Sequence, residues 1–217
     1  MDRPLVIGHR GFRARYPENT LKAVRAAVSI GADGVEVDIR LSRDGIWVCH
    51  HDPDDGGIPV SQQRWATLHR MGVGALEDIL HGLVDGRWLF LEIKPLAPDN
   101  LQRGAASLER LIAPRCSLTR VLSLSESVLR AVRDLLPGCP RSLVFSDTPE
   151  PLECRDRSLS PHHRLVERVL RTGCELHPWT VDRPRRMRKL AALGVASITS
   201  NDPELCLQTL AGSSPGR

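Results

Sequence analysis

Short apolar runs rich in Val, Ile and Leu recur along the chain, separated for the most part by stretches whose apolar residues repeat at helical spacing. The runs predict eight strands: LVIG at 5–8, VEVDI at 35–39, IWVCH at 46–50, LFLEI at 89–93, RVLSL at 120–124, SLVFS at 142–146, CELHPW at 174–179 and ASIT at 196–199. Helices are predicted over about 18–30, 76–84, 101–112, 125–136, 163–172, 184–193 and 203–210. In the first of these, Leu21, Val24, Ala27 and Val28 recur at helical spacing, Pro17 stands ahead as a start signal and Gly31 follows as a stop. Alternation of strands and helices argues for a parallel α/β sheet. Eight strands in 217 residues fit one small closed (β/α)8 barrel. The runner-up, an open doubly wound sheet, lacks the glycine-rich dinucleotide loop that would support it.

One junction breaks the alternation. LSRDG, which joins the second and third predicted strands, is too short for a crossover helix, and Asp44-Gly45 is a hairpin dipeptide. An antiparallel or irregular step is expected there. Residues 1–210 are expected to form the single domain, with 211–217 as a disordered tail. The polar, proline-bearing stretch at 147–162 is expected to be a loop over the barrel mouth.

In a (β/α)8 barrel the chemistry lies at the C-terminal ends of the strands, and polar groups gather there in this chain. The first predicted strand ends in His9-Arg10-Gly11, the second carries Glu36 and Asp38, the third ends in His50-His51-Asp52, the fourth carries Glu92 and Lys94, and the seventh ends in Trp179-Thr180. Residues two apart on a strand share a face. Glu36 and Asp38 therefore point one way, while Val35, Val37 and Ile39 point the other, and Glu92 and Lys94 separate in the same manner from Leu91 and Ile93. That places three carboxylates and a lysine in the lumen. Carboxylates so crowded repel unless a cation neutralises them, and an all-oxygen ligand set suits Mg²⁺ or Ca²⁺ rather than zinc. Taken singly, each feature has a plainer reading: ExD as a salt-bridged pair, a histidine after a strand as a turn residue, Glu92 and Lys94 as an ion pair. Their convergence on one end of separate strands favours a site.

Composition and charge narrow the picture a little. Aromatic residues make up 4% of the chain against 41% apolar in all, so the core must rest on Leu, Val, Ile and Ala. A net charge of +4 suits an anionic substrate. The basic run RPRRMRK at 183–189 reads as a solvated helix face rather than a nucleic-acid patch, since no aromatic side chain interrupts it to offer a stacking surface. No apolar stretch is long enough to span a bilayer, and no secretory leader is evident, so neither stable membrane insertion nor nucleic-acid binding is expected. The six cysteines form no CxxC pair or zinc spacing and read as reduced thiols of a cytoplasmic protein.

The run HRGFRARYPENTLKAVRAAVSIGADGVEVDIRLSRDGIWVCHHDP closely resembles the signature of glycerophosphodiester phosphodiesterases: HRG, PENT opening a helix, GAD before an ExD strand, a DG turn and a terminal HD. LEDIL with LEIK, HPWTVD at 177–182 and GVASITSNDPE at 194–204 continue the likeness. The resemblance implies a triose-phosphate-isomerase (TIM) barrel that hydrolyses glycerophosphodiesters to sn-glycerol 3-phosphate and an alcohol. It implies a divalent cation held by Glu36, Asp38 and Glu92, His9 and His51 as the acid–base pair, Arg10 and Lys94 on the phosphate, and Trp179 against the glycerol. It also implies attack by the substrate's own 2-hydroxyl through a cyclic phosphate. The HD match selects His51, leaving His50 as structural. Where many members carry a longer insertion with an Arg-Thr-Thr-like turn after HD, only about 35 residues separate Asp52 from the next predicted strand. The cap is therefore abbreviated, which leaves the head group open. Two other readings remain: a lysophospholipase D-like activity on lysophospholipids, and a non-catalytic barrel that binds a phosphorylated ligand.

Overall fold

In the computed structural model, which describes residues 3–84, 86–147 and 158–211, the strands in chain order are β1 (Leu5–Gly8), β2 (Gly34–Leu41), β3 (Trp47–Cys49), β4 (Asp54–Asp55), β5 (Ile58–Pro59), β6 (Gly74–Ala75), β7 (Trp88–Ile93), β8 (Thr119–Ser123), β9 (Arg141–Phe145), β10 (Ser158–Pro161) and β11 (Ser197–Ser200). The α-helices are α1 (Leu21–Ser29), α2 (Trp65–Arg70), α3 (Leu76–Gly82), α4 (Pro98–Ile112), α5 (Glu126–Leu135), α6 (Val166–Val169), α7 (Pro184–Ala192) and α8 (Pro203–Ala211). Helix α1 begins at Leu21 rather than at 18 because the Thr20 hydroxyl accepts the Ala23 N–H at 3.2 Å and caps it there. Residues 148–157 of the expected mouth loop, and 212–217 of the expected tail, lie outside the described residues.

Seven strands run parallel in the order β10-β9-β8-β7-β2-β1-β11. Residues 176–181 complete the ring. They bridge β10 in the parallel sense at Leu159–Leu176 and His162–Trp179. On their other side Ala196 N–H donates to Leu176 O (2.9 Å), Thr199 N–H to Pro178 O (3.1 Å) and Val181 N–H to Thr199 O (2.9 Å), which joins them to β11. The architecture is the expected (β/α)8 TIM barrel.

One of the eight expected staves is exchanged for another. The run at 46–50 is not a stave: β3 turns back on the end of β2 in antiparallel register, Ile39 opposite Cys49 and Leu41 opposite Trp47, and also pairs with β6. This is the hairpin that the DG turn predicts. The missing stave is β10, inside the stretch expected to be loop. It was hidden because its sequence, SLSP, holds a single aliphatic residue. Leu159 packs in the outer core, while Ser158 and Ser160, on the other face, bond to Arg120 and Ser142 in the lumen. The helix expected over 163–172 is also interrupted: α6 is flanked by 3₁₀ turns over His163–Leu165 and Leu170–Thr172.

The outer core lies between staves and helices. Val35, Val37 and Ile39 of β2 with Leu89, Leu91 and Ile93 of β7 pack on Val24 and Ala27 of α1 and on Leu108 of α4. Val6, Ile198 and Leu176 pack on Met187 and Leu190 of α7 and on Cys206 of α8. The lumen contains a small apolar cluster of Ile7, Phe90, Leu122 and Val144. With the aliphatic positions committed outward, the alternate positions of β2 and β7 are free to carry charge inward.

The reading of six reduced thiols is corrected. Cys116 and Cys139 form a disulfide across a separation of 23 residues, and Cys174 is also disulfide-bonded. Cys49 and Cys206 are free and buried. Spacing rules miss the first pair because it is made by the sheet: each cysteine enters one of two adjacent parallel strands, β8 and β9, so their starts lie side by side. The cysteine argument for a cytoplasmic location goes with that reading. Among the described residues no helix is long and apolar enough to cross a membrane.

Replacing Cys116 and Cys139 together by serine is expected to cost about 3 kcal/mol of unfolding free energy, by the chain-entropy effect of a loop this long. Urea unfolding of oxidised protein checks this, and an unchanged midpoint would count against the crosslink.

Candidate active site

β2 and β7 are neighbours in parallel register, with Glu36 opposite Phe90 and Asp38 opposite Glu92. Alternation then aims Glu36, Asp38 and Glu92 into the lumen, where one oxygen from each lies within 4.8 Å of the others. Two cations enter this cluster. Lys94 Nζ lies 2.7 Å from Asp38 Oδ1 and 2.6 Å from Glu92 Oε1. Arg10 Nε lies 3.0 Å from Asp38 Oδ2, a charge contact without hydrogen-bond alignment.

Ionised together, the three carboxylates would outnumber the two cations by one, and the mismatch falls hardest on Glu36. Burial, with Asp38 and Glu92 close by, raises the Glu36 carboxyl well above the ordinary range. Its Oε2 accepts the Arg10 backbone N–H at 3.0 Å, but the buried Oε1 has no protein partner. At Asp38 burial acts in the raising direction too, yet Lys94, Arg10 and Asn19 outweigh it and hold the group below its usual value. A set of hard oxygen donors with surplus negative charge and one orphaned buried oxygen fits a divalent cation.

The loop between β1 and α1 closes one side of the cluster. Asn19 is buried and binds Asp38 twice: its Nδ2 donates to Asp38 Oδ2, and its Oδ1 accepts the Asp38 N–H, both at 3.0 Å. Arg10 and Asn19 both adopt left-handed backbone, φ 53° and 57°. For arginine this costs roughly 1–2 kcal/mol, and the Asn19 N–H bond to Arg10 O (3.0 Å) with the Arg10–Glu18 ion pair (2.6 Å) offsets it. Gly11 has no substitute here. Its φ is 83°, and a Cβ would stand 2.6 Å from the Ala23 carbonyl carbon.

His9, at the end of β1, is mostly buried. Burial pushes its imidazole down to about 4, against the opposing effect of its bond to Asn201. Nδ1 meets Asn201 Oδ1 at 2.7 Å, and Nε2 stands 3.9 Å from Glu36 Oε2. His51 lies at the more open rim. Its Nδ1 meets Asp52 Oδ1 at 2.7 Å, a bond that holds Asp52 below the usual carboxylate range. The Arg40 guanidinium fixes the His51 main chain by donating to its carbonyl from Nε (3.1 Å) and Nη2 (2.8 Å). His50 turns away and donates from Nε2 to Asp54 O at 3.0 Å.

These groups line one cavity of about 160 Å³, shared by His9, Arg10, Glu36, His51, Glu92 and Lys94. Trp179 forms part of its wall, fixed by an Nε1–H bond to Ser160 O at 2.7 Å. Asp38, buried beside these groups, is held by Arg10 and Lys94. The abbreviated cap beside the mouth consists of the β4–β5 hairpin and the short helix α2. A larger groove between α4 and α5, about 670 Å³, is lined mostly by apolar side chains and contains none of these groups.

The structure brings all eight sequence-indicated residues to one mouth. It adds others whose sequence signal is weak. Asn19 and Asn201 lie inside the quoted PENT and SND motifs, but a neutral amide carries no charge signal, and their partners are far away in sequence. His177 lines the cavity and is fully paired: Nε2 donates to Glu175 Oε2 (3.1 Å), so Nδ1 accepts from the Ser197 hydroxyl (2.8 Å).

Fold and mouth together define the class, a TIM barrel with a polar site at its C-terminal face, and comparison with known proteins takes the matter further. Residues 9–85 and 120–205 match the glycerophosphoryl diester phosphodiesterase family. A Mycobacterium tuberculosis protein named "Probable glycerophosphodiester phosphodiesterase 1" is 45% identical, over 92% of this chain and 90% of that one. The glycerophosphodiester phosphodiesterase of Caldanaerobacter subterraneus is 29% identical over 92% and 95%. In fold, the chain resembles a glycerophosphodiester phosphodiesterase from Parabacteroides distasonis (TM-score 0.86, 22% identity, 97% and 98% covered). It also resembles an Oleispira antarctica phosphodiesterase solved with the product sn-glycerol-3-phosphate (TM-score 0.85, 22% identity, 96% and 97% covered). The chain belongs to the glycerophosphoryl diester phosphodiesterase family and is a phosphodiesterase.

His177 gives a test of the buried electrostatics. Burial holds it neutral, down to about 4, whereas an unfolded histidine titrates near 6.5. The unfolded state therefore binds the proton first as pH falls, and the stability that His177 contributes is full above about 6.5 and declines toward about 4. The difference in unfolding free energy between wild type and His177→Gln should shift against wild type from pH 7 to pH 5. A constant difference would contradict the depressed value.

Proposed function

We propose that this cavity cleaves glycerophosphodiesters to sn-glycerol 3-phosphate and an alcohol with the help of a divalent cation held by Glu36, Asp38 and Glu92. The carrying observation is the trio of lumen carboxylates within 4.8 Å of one another, with Glu36 Oε1 unpartnered and two histidines on the same cavity. All donors are hard oxygens, so the ion is Mg²⁺ or Ca²⁺. When bound, it supplies positive charge against the phosphate and favours ionisation of a hydroxyl.

The chain's own residues do the rest. Arg10 and Lys94 face the phosphate and offset its charge, which would otherwise repel any nucleophile. His9, neutral and buried, accepts the proton of the attacking hydroxyl at Nε2. His51, hydrogen-bonded to the Asp52 carboxylate at the open rim, delivers a proton to the leaving alkoxide as its P–O bond breaks. Trp179 gives the glycerol an apolar wall beside the charged end of the cavity.

The test is release of glycerol 3-phosphate from glycerophosphocholine with Mg²⁺, with Ca²⁺ and with EDTA. Release should need the ion and disappear in Glu36→Ala. His9→Ala and His51→Ala should each lower kcat by about 10²–10⁴-fold while the protein stays folded. Near-normal rates in either histidine variant would refute its role. Release from a lysophospholipid but not from glycerophosphocholine would move the substrate and keep the chemistry.

A further inference from the structure

We propose that Asp182 and Asn201 form a positioning pair that fixes which ring nitrogen of His9 carries its proton, leaving Nε2 free to accept one. This rests on the reading of His9 as the base. The three residues come from neighbouring staves: Asp182 follows the 176–181 segment, Asn201 follows β11 and His9 follows β1.

The Asp182 carboxylate only accepts hydrogen bonds. Asp182 Oδ1 takes the Asn201 backbone N–H at 2.9 Å and the Ser200 hydroxyl at 3.1 Å. Oδ2 takes the Asn201 side-chain amide at 2.7 Å. The amide nitrogen of Asn201 is thus committed to Asp182, because the flipped amide would set its oxygen against the carboxylate. The amide oxygen therefore faces His9 Nδ1, at 2.7 Å. An amide oxygen also only accepts, so Nδ1 must carry the hydrogen. A neutral imidazole has one N–H, and the lone pair falls on Nε2, on the Glu36 side at 3.9 Å. The His9 N–H bond to Ser200 O at 2.8 Å pins the main chain of His9 to the same strand end. Neither residue of the pair borders the cavity. The pair acts through the ring it orients.

The arrangement makes an unusual demand: Asp182 must be an acceptor for the tautomer to hold. In Asp182→Asn the Asn201 amide is free to flip and offer N–H to His9 Nδ1, which then becomes the acceptor and puts the hydrogen on Nε2. In the exchanged double variant, Asp182→Asn with Asn201→Asp, the carboxylate sits against Nδ1 and the amide behind it, and the original tautomer returns.

Two readouts test this. Long-range ¹H–¹⁵N NMR of His9 in the ion-free protein reports the tautomer directly. Kinetics on glycerophosphocholine with a divalent ion report its consequence. Wild type should show the Nδ1–H form. Asp182→Asn should lose that form and lose about 10- to 100-fold in kcat with little change in KM, the scale on which activity falls when a hydrogen-bond partner orienting a metal-bound imidazole is lost. The exchanged double variant should recover most of both. An Nε2–H tautomer in wild type overturns the proposal even if a variant fails to fold, and so does Asp182→Asn with unchanged tautomer and kcat. Failure of wild type to turn over glycerophosphocholine would instead strike at the substrate reading, with the NMR result still deciding the positioning pair.

Discussion

Glu36, Asp38 and Glu92 share a buried space in which one oxygen of each lies within 4.8 Å of the other two. Like charges in such surroundings repel strongly, and much of the mouth is arranged around that repulsion. Lys94 bridges Asp38 and Glu92, the Arg10 side chain lies against Asp38, and the Arg10 amide reaches Glu36. To reach both positions Arg10 adopts left-handed backbone, which in turn requires the Gly11 turn and the Asn19 brace. The loop that carries His9 is thus shaped in part by the need to bring positive charge to the carboxylates. What remains is a carboxyl, Glu36, that the protein's own cations do not balance, with one oxygen unpartnered. This imbalance is the physical basis for reading the cluster as a cation site.

The histidines show how similar electrostatics serve different ends. Burial drives both His9 and His177 down to about 4, and both line the cavity. His177 has both ring nitrogens satisfied, by Glu175 and Ser197, and so braces the barrel interior. His9 has one nitrogen held by Asn201, while its other nitrogen is directed toward the Glu36 side. A depressed value alone would not separate them. The open nitrogen does.

Much of this was legible in the chain. β2 announces itself through strict alternation, aliphatic residues on one face and carboxylates on the other, and β7 through the Glu92 and Lys94 that break an otherwise apolar run. β10 was illegible because Ser158 and Ser160 satisfy lumen groups by hydrogen bonding and leave only Leu159 to signal a strand. Conversely, β3 has the composition of a stave but hangs from the end of β2, since the DG turn reverses the chain before a crossover can form. The disulfide and the Asp182–Asn201–His9 chain depend on which strand ends are neighbours, and a linear pattern does not contain that. Asn19 and Asn201 were present in recognisable motifs, but their work is done by single amide atoms whose partners lie 19 and 192 residues away.

The most direct test of the central claim is calorimetric titration of Mg²⁺ and of Ca²⁺ into protein stripped of ions. If the carboxylate trio is a cation site, one ion binds per chain, and the binding is lost or greatly weakened in Glu36→Gln and in Asp38→Asn. If wild type binds neither ion, or binds it no better than those variants do, the surplus charge in the lumen is balanced some other way and the account of the site fails.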